Sequence, residues 1–184
     1  MKHTKKLVFM ALLTAISLII WVIEAQIPPP VPVPGIKLGL ASVVTLTAMV
    51  LLRRRDALIV LMLRVVMASV FGGSVSALLF SMTGGLLSWV VMALTLRLFE
   101  EKQLWVVSVL GAVGHNAGQL LAAIAVTRTP ALIAYGPALL AAAIVTGAFT
   151  GVAAMQITKP LKRYFTTQET QKGSDSVRKG NMRE

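Results

Sequence analysis

Long apolar runs constrain this chain more than any other feature, because roughly 20 apolar residues in a helix cross the ~30 Å hydrocarbon core of a bilayer. By that measure the sequence contains six spans, at about residues 7–27, 36–52, 57–71, 77–96, 105–127 and 137–158. Charged residues make up only 14% of the chain, well below the share that the surface of a soluble domain needs. The sequence therefore predicts an all-α integral membrane protein, a bundle of six transmembrane helices.

The breaks between the spans differ in strength. The proline-rich segment 28–35 cannot be helical, because each proline lacks a backbone donor and disfavours helix in the residue before it. The glycine-containing break at 72–76 is weaker, so fusion of the third and fourth spans is the main alternative to six. Residues 164–184 are polar and predict a disordered tail after a single membrane domain at 1–163.

The basic residues are distributed asymmetrically. With the N-terminus in the cytoplasm, 15 of the 18 Lys and Arg residues fall on the cytoplasmic side. Lys37 and Arg128 remain on the outer side, and Arg64 falls within a span. The positive-inside rule predicts this asymmetry, with both termini cytoplasmic. The net charge of +11 is therefore a sign of topology and not of nucleic-acid binding.

Four ionisable residues fall within or beside the predicted spans, where a charge costs several kcal/mol and usually faces a bundle interior or a cavity. They are Glu24, Lys37, Arg64 and His115. A structural interpretation pairs Glu24 with Lys37 or with Arg64. A functional interpretation places them around a substrate cavity in the outer half of the membrane. Two cations beside one carboxylate would then favour a substrate with a carboxylate or phosphate group.

The fifth span adds neutral polar residues to this set. His115 and Gln119 are four residues apart and share one helical face, and Asn116 lies beside them. The same face carries glycine and alanine, as at Gly111 and Gly118. Such a face favours either a closely packed neighbouring helix or a solvated cavity, and both interpretations remain open.

Two pairs of small residues allow close approach between helices. Ala11 and Ala15 form an A-x-x-x-A motif on the first span, and Gly147 and Gly151 form a G-x-x-x-G motif on the sixth. Packing within the bundle is the default interpretation of each motif, and docking of another membrane protein is the alternative.

The sequence lacks the motifs of several catalytic chemistries. The sequence has no G-x-x-x-x-G-K-[ST] phosphate loop, no H-E-x-x-H and no G-x-S-x-G motif. Its seven acidic residues form no aspartate-rich site that could hold magnesium and a diphosphate. Cysteine is absent. We therefore expect no enzyme, no catalytic residue, no metal site and no cofactor.

Three strings carry a resemblance to a known family. They are FMALLTAISL at 9–18, PGIKLGLASVVTL at 34–46 and GHNAGQL at 114–120, with PGIKLGLA the most specific part. With Glu24, they resemble the Gx transporter group, also called heptaprenyl diphosphate synthase component I. That group is similar to the substrate-binding (S) components of energy-coupling factor (ECF) transporters. The resemblance covers about residues 5–163.

The resemblance implies a six-helix S-component fold in the bacterial plasma membrane, with a small vitamin-like or anionic substrate bound near the outer face. It also implies that Ala11 and Ala15 dock a transmembrane coupling subunit, which two cytoplasmic ATPases drive. The alternative name implies a non-catalytic accessory role in polyprenyl diphosphate or quinone synthesis. A stand-alone secondary carrier is a third hypothesis, although no inverted repeat of broken helices supports it. Flavins, thiamine-like compounds and isoprenoid or quinone precursors all remain open as substrates.

Overall fold

The computed structural model describes residues 3–28, 37–72 and 75–181, which form six α-helices, two short 3-10 helices and, over these ranges, no β-strand. The α-helices are α1 (His3–Glu24), α2 (Ser42–Leu51), α3 (Arg54–Gly72), α4 (Val75–Thr95), α5 (Leu104–Thr127) and α6 (Gly136–Asn181). The 3-10 helices are Glu101–Gln103, before α5, and Pro130–Tyr135, before α6. Most of the predicted proline-rich connection lies outside the described residues, as does the centre of the 72–76 break.

Four of the described helical segments are long and apolar enough to cross a membrane. They are Thr4–Glu24, Leu78–Thr95, Leu104–Thr127 and Pro130–Phe165. An all-helical membrane protein is thereby confirmed, but the predicted count of six spans is not. The two predicted spans without such a segment correspond to α2 and α3.

The span predicted at 36–52 is largely replaced by a shorter helix. Of its residues, 37–41 are non-helical, and α2 has only 10 residues, or about 15 Å of helix. The apolar run predicts continuous helix, whereas Gly39 adopts φ +79°, in the left-handed region that a right-handed helix excludes. The segment 37–41 is called the entry segment below.

The third helix is longer than the span predicted at 57–71. α3 has 19 residues, begins at Arg54 and carries Arg54, Arg55, Asp56 and Arg64. Asp56 and Arg64 are both buried in the bundle. α3 therefore belongs to the bundle interior as much as to a lipid-facing layer.

The tail predicted as disordered at 164–184 is described as a continuation of α6 to Asn181. Its polar composition prevents it from burying an apolar face. That composition does not prevent helix, because Pro160 is the last proline in the chain and helix-forming residues follow it. The predicted domain boundary at residue 163 thus has no break in the helix to mark it.

Glycines let α5 pack closely against both of its neighbours. A Cβ at Gly118 would lie 2.7 Å from the Thr83 carbonyl oxygen of α4. A Cβ at Gly147 or Gly151 would lie 2.5 Å from a backbone Cα of α5. The G-x-x-x-G motif of α6 therefore packs within the bundle, as its default interpretation predicted.

The bundle contains two apolar clusters. The larger one gathers the start of α1, the length of α2, the start of α3, the end of α4, the start of α5 and Ala154 of α6, and it lies mainly toward the side predicted to be cytoplasmic. The smaller one joins Phe80 of α4, Ala122 and Ala123 of α5 and Leu139 of α6, at the opposite end. Three buried polar residues adjoin the entry segment: Glu24 of α1, and His115 and Gln119 of α5.

Candidate functional site

The entry segment is held between α1 and α5 by two hydrogen bonds to predicted site residues. The Gly39 amide donates to the Glu24 carboxylate at the end of α1. The Lys37 amide donates to the side-chain carbonyl oxygen of Gln119 on α5, at 3.1 Å. Both acceptors are almost fully buried, so these bonds satisfy polar groups that would otherwise be costly to bury.

His115 is enclosed between two glycines from different elements. A Cβ at Gly39 would lie 2.7 Å from the ring Cδ2, and a Cβ at Gly84 of α4 would lie 3.1 Å from the ring Cε1. Gly84 further allows the approach of Gln119, whose Cγ would lie 2.8 Å from a Cβ there. The packing therefore fixes the ring in one position.

The Lys37 side chain lies against an aromatic ring. Its Nζ is 4.2 Å from the centroid of the Trp21 ring, within the range of a cation–π interaction. Trp21 lies one helical turn before Glu24 on α1. The Nε1 of Trp21 is buried and has no hydrogen-bond partner among the described residues.

Arg64 brings a second cation to the cluster from α3. The residue is only 6% exposed, and its Nε has no hydrogen-bond partner within the described part of the chain. It lies close enough to Glu24, Lys37 and His115 for charge interactions with all three. A buried guanidinium normally has its donors satisfied, so this nitrogen is open to an acceptor from elsewhere.

Asn116 has a different neighbour from the rest of the set. Its side-chain amide nitrogen donates to the Leu139 carbonyl oxygen of α6 at 2.9 Å, whereas its amide oxygen has no partner among the described residues. Asn116 therefore bridges α5 to α6. This contact fits a helix-bridging role for Asn116 better than a place beside the two cations.

Five of the six predicted substrate residues thus meet at one place, called the charged cluster below: Glu24, Lys37, Arg64, His115 and Gln119. With a neutral imidazole, the cluster holds two cations and one carboxylate. The excess positive charge suits a carboxylate or phosphate. The described residues contain no group of three His, Asp or Glu side chains suited to a metal ion.

Ala11 and Ala15 lie on an exposed face of α1, where Leu12 is also exposed. The opposite face of α1 is buried through Met10, Leu13 and other residues. The A-x-x-x-A motif therefore does not pack within the described bundle, in contrast to the G-x-x-x-G motif of α6.

The described residues form apolar grooves on the outside of the bundle, of which two matter here. The α1–α3 groove has a volume of about 310 Å³ and is lined by Leu18, Ile19, Trp21, Val22, Ile23 and Phe71. The α4–α5 groove has a volume of about 480 Å³ and is lined by Thr83, Leu86, Leu87, Val90, Gly118, Leu121, Ala122 and Ala125. Trp21 is the residue that the first groove shares with the charged cluster.

An ion pair joins α1 to α3 at the end away from this cluster. The Lys6 Nζ lies 2.7 Å from the Asp56 carboxylate, which also accepts a hydrogen bond from the Arg53 amide at 3.1 Å. Burial acts to raise the pKa of Asp56, but the bonds from Lys6 and Arg53 outweigh it and hold this pKa below its ordinary value.

Sequence reasoning did not assign Gly39 and Gly84, which shape the cluster without contributing a charge. Gly39 stands inside the PGIKLGLA string, and Gly84 is the first residue of a Gly84-Gly85 pair in α4. Two adjacent glycines within a helix signal close approach of a neighbour. The partner of that approach was not readable from the sequence.

Comparison with known proteins identifies the family. The model of the family described as heptaprenyl diphosphate synthase component I matches residues 13–157. The chain belongs to this family. The resemblance carried by the three sequence strings is thereby confirmed. No curated protein and no solved structure matches the chain.

Membership supports a membrane component, although the family description names a synthase. The matched region includes every residue of the charged cluster and Ala15, and it begins after Ala11. The family therefore covers the candidate site, whereas its description assigns no role to any of these residues.

Proposed function

We propose that the chain is the membrane-embedded substrate-binding (S) subunit of an ECF-type ATP-driven importer, and that it binds a small anionic or vitamin-like compound. The observation that carries this proposal is the buried Arg64, whose Nε has no partner among the described residues beside Lys37. A protein that only needed to pair Glu24 would need one cation and not two.

The energetics favour an anionic ligand. A buried charge without full compensation costs several kcal/mol, and one carboxylate cannot neutralise both Lys37 and Arg64. A ligand carboxylate or phosphate would neutralise the excess charge and accept a hydrogen bond from the Arg64 Nε, which has no partner among the described residues. In this proposal Glu24 holds the entry segment through Gly39, while His115 and Gln119 fix its position.

The same proposal assigns Ala11 and Ala15 to the docking of a coupling subunit. The sequence has no phosphate loop of its own, so ATP hydrolysis would come from two cytoplasmic ATPases. Small residues on an exposed helix face allow a partner helix to approach closely, and van der Waals packing then holds the two helices together.

Association with a coupling module is the direct test. The chain would be co-expressed with a transmembrane coupling subunit and its two ATPases and purified through a tag on one ATPase. We expect the chain to co-purify, and Ala11→Trp or Ala15→Trp to abolish co-purification. Ala141→Trp, at an exposed alanine of α6, is the matched control and should co-purify normally. A chain that never associates, or that associates equally well with Trp at all three positions, contradicts the proposal.

The proposed topology places both termini in the cytoplasm of a bacterial cell. Because the chain has no cysteine, single cysteines can report sidedness without background. A membrane-impermeant thiol reagent applied to intact cells should label Thr129→Cys and spare Arg55→Cys. The reverse labelling would invert the topology and place the charged cluster toward the cytoplasm.

The family description favours a second candidate function, that of a non-catalytic membrane accessory protein in polyprenyl diphosphate or quinone synthesis. Deletion of the gene separates the two candidates. Loss of polyprenyl products with normal uptake of small molecules selects the accessory role. An uptake defect with normal polyprenyl products selects the importer.

A further inference from the structure

The α1–α3 groove runs up to the charged cluster. Its lining is apolar, from Leu18, Ile19, Val22 and Ile23 of α1 and Phe71 of α3. These α1 residues belong to the last two turns before Glu24. Phe71 lies at the end of α3, two turns beyond Arg64. The groove and the cluster therefore occupy the same end of the bundle.

Trp21 joins the two features. One part of this side chain lines the groove, and the Lys37 Nζ lies 4.2 Å from its ring centroid. A Cβ at Gly72 would lie 3.1 Å from the ring Cη2, so the end of α3 closes against the same ring. A molecule in the groove would thus contact the same side chain that the Lys37 ammonium group contacts.

The charges distinguish this groove from the other one. The α4–α5 groove is larger, but its lining contains no charged residue, so any lipid chain would suit it. The α1–α3 groove shares Trp21 with the charged cluster: the Lys37 Nζ lies over the ring of this residue, and Arg64 is within range of a charge interaction with Lys37. Charge complementarity therefore selects a chain that carries an anionic group at one end.

We propose that the ligand is an anionic amphiphile, whose carboxylate or phosphate headgroup binds Lys37 and Arg64 and whose apolar chain lies in the α1–α3 groove. This inference rests on the proposed function and narrows its substrate class. The headgroup supplies an acceptor for the Arg64 Nε, which has none among the described residues, and the ligand's apolar chain buries the apolar lining that α1 and α3 leave exposed.

Binding of matched probes to the full chain in phosphatidylcholine nanodiscs tests the inference, with empty nanodiscs as the blank. Dodecyl phosphate carries both parts of the ligand, inorganic phosphate carries the headgroup alone, and dodecyltrimethylammonium carries the chain with the opposite charge. We expect saturable binding of dodecyl phosphate, binding of inorganic phosphate at least about ten-fold weaker, and no saturable binding of the cation.

A groove-filling variant separates the contribution of the ligand's apolar chain from that of its headgroup. Val22 is exposed and lines the groove, so Val22→Trp should weaken dodecyl phosphate by about ten-fold and leave inorganic phosphate unchanged. Leu12→Trp places the same side chain at an equally exposed position of α1 outside the groove, and it should change neither affinity.

Two results would overturn the inference. Equal affinities for dodecyl phosphate and inorganic phosphate, both insensitive to Val22→Trp, would remove the groove from the site but leave an anion-binding subunit in place. Failure of both probes to bind, in a chain that still co-purifies with a coupling module, would reject the anionic amphiphile without rejecting the importer. Loss of co-purification as well would reject the proposed function itself.

The source of the amphiphile is decided by a second nanodisc composition. If phosphatidylglycerol in the bilayer competes with dodecyl phosphate, the occupant is a resident anionic lipid. If dodecyl phosphate binds equally well in both bilayers, the occupant is a separate amphiphile that the site selects over membrane lipids. Either result supports the chemistry of the site.

Discussion

Replacing Gly39 by alanine tests whether the entry segment is fixed by the packing around His115. Gly39 adopts φ +79°, a conformation that costs a residue with a Cβ roughly 1–2 kcal/mol. The new Cβ would also lie 2.7 Å from the His115 Cδ2. The ring cannot move away freely, because Gly84 of α4 encloses its other edge.

The two effects act together on the free energy of unfolding. Overpacking of a buried site costs roughly 1–3 kcal/mol, so Gly39→Ala should destabilise the protein by about 2–5 kcal/mol in all. Since the Gly39 amide donates to Glu24, a displaced backbone would also leave a buried carboxylate without this donor.

Unfolding in mixed micelles, followed by helix content and by tryptophan fluorescence, measures this free energy. Gly136→Ala is the matched control, because a Cβ at Gly136 meets no atom within 4 Å and alanine favours helix by up to about 1 kcal/mol. If Gly39→Ala is as stable as the wild type, within about 0.5 kcal/mol, the described placement of the entry segment is wrong.

Three further predictions concern the bundle and its charges. Gly151→Ala should cost about 1–3 kcal/mol in the same unfolding assay, because its Cβ would meet the α5 backbone; stability equal to that of the wild type would contradict the close α5–α6 packing. The pKa of Asp56 is lowered in the folded protein, so its pairing with Lys6 stabilises the fold at any pH above the ordinary carboxyl pKa. This contribution should be lost as the pH falls through the lowered pKa of Asp56 in the folded state. Asp56→Asn should remove about 0.5–1 kcal/mol near neutral pH together with that pH dependence, and an unchanged acid profile would refute the pair. Lys37→Ala and Arg64→Ala should each weaken binding of an anionic probe by at least about ten-fold, and this loss of binding free energy should be much larger than the loss of stability seen in the melting temperature. Normal binding in both variants would support pairing within the protein alone.

The sequence predicted the helical membrane fold and most helix positions, because apolar runs and polar breaks are local features. The predicted span at 36–52 is too long, because the apolar composition does not show that Gly39 adopts a left-handed conformation, and α2 begins only at Ser42. At the tail, the structure describes helix to Asn181, since polar composition excludes a residue from the core without excluding helix. The A-x-x-x-A and G-x-x-x-G motifs look alike in sequence, yet only the G-x-x-x-G motif packs against a neighbouring helix within the described bundle.

The candidate site shows the same division. Charge in an apolar run is costly wherever the run lies, so the sequence alone marked Glu24, Lys37, Arg64 and His115 as residues that must find partners. Which residues meet depends on how helices distant in the sequence pack, and only the tertiary structure decided that. It directed Asn116 toward α6, enclosed His115 between Gly39 and Gly84, and left the Nε of Arg64 without a partner among the described residues.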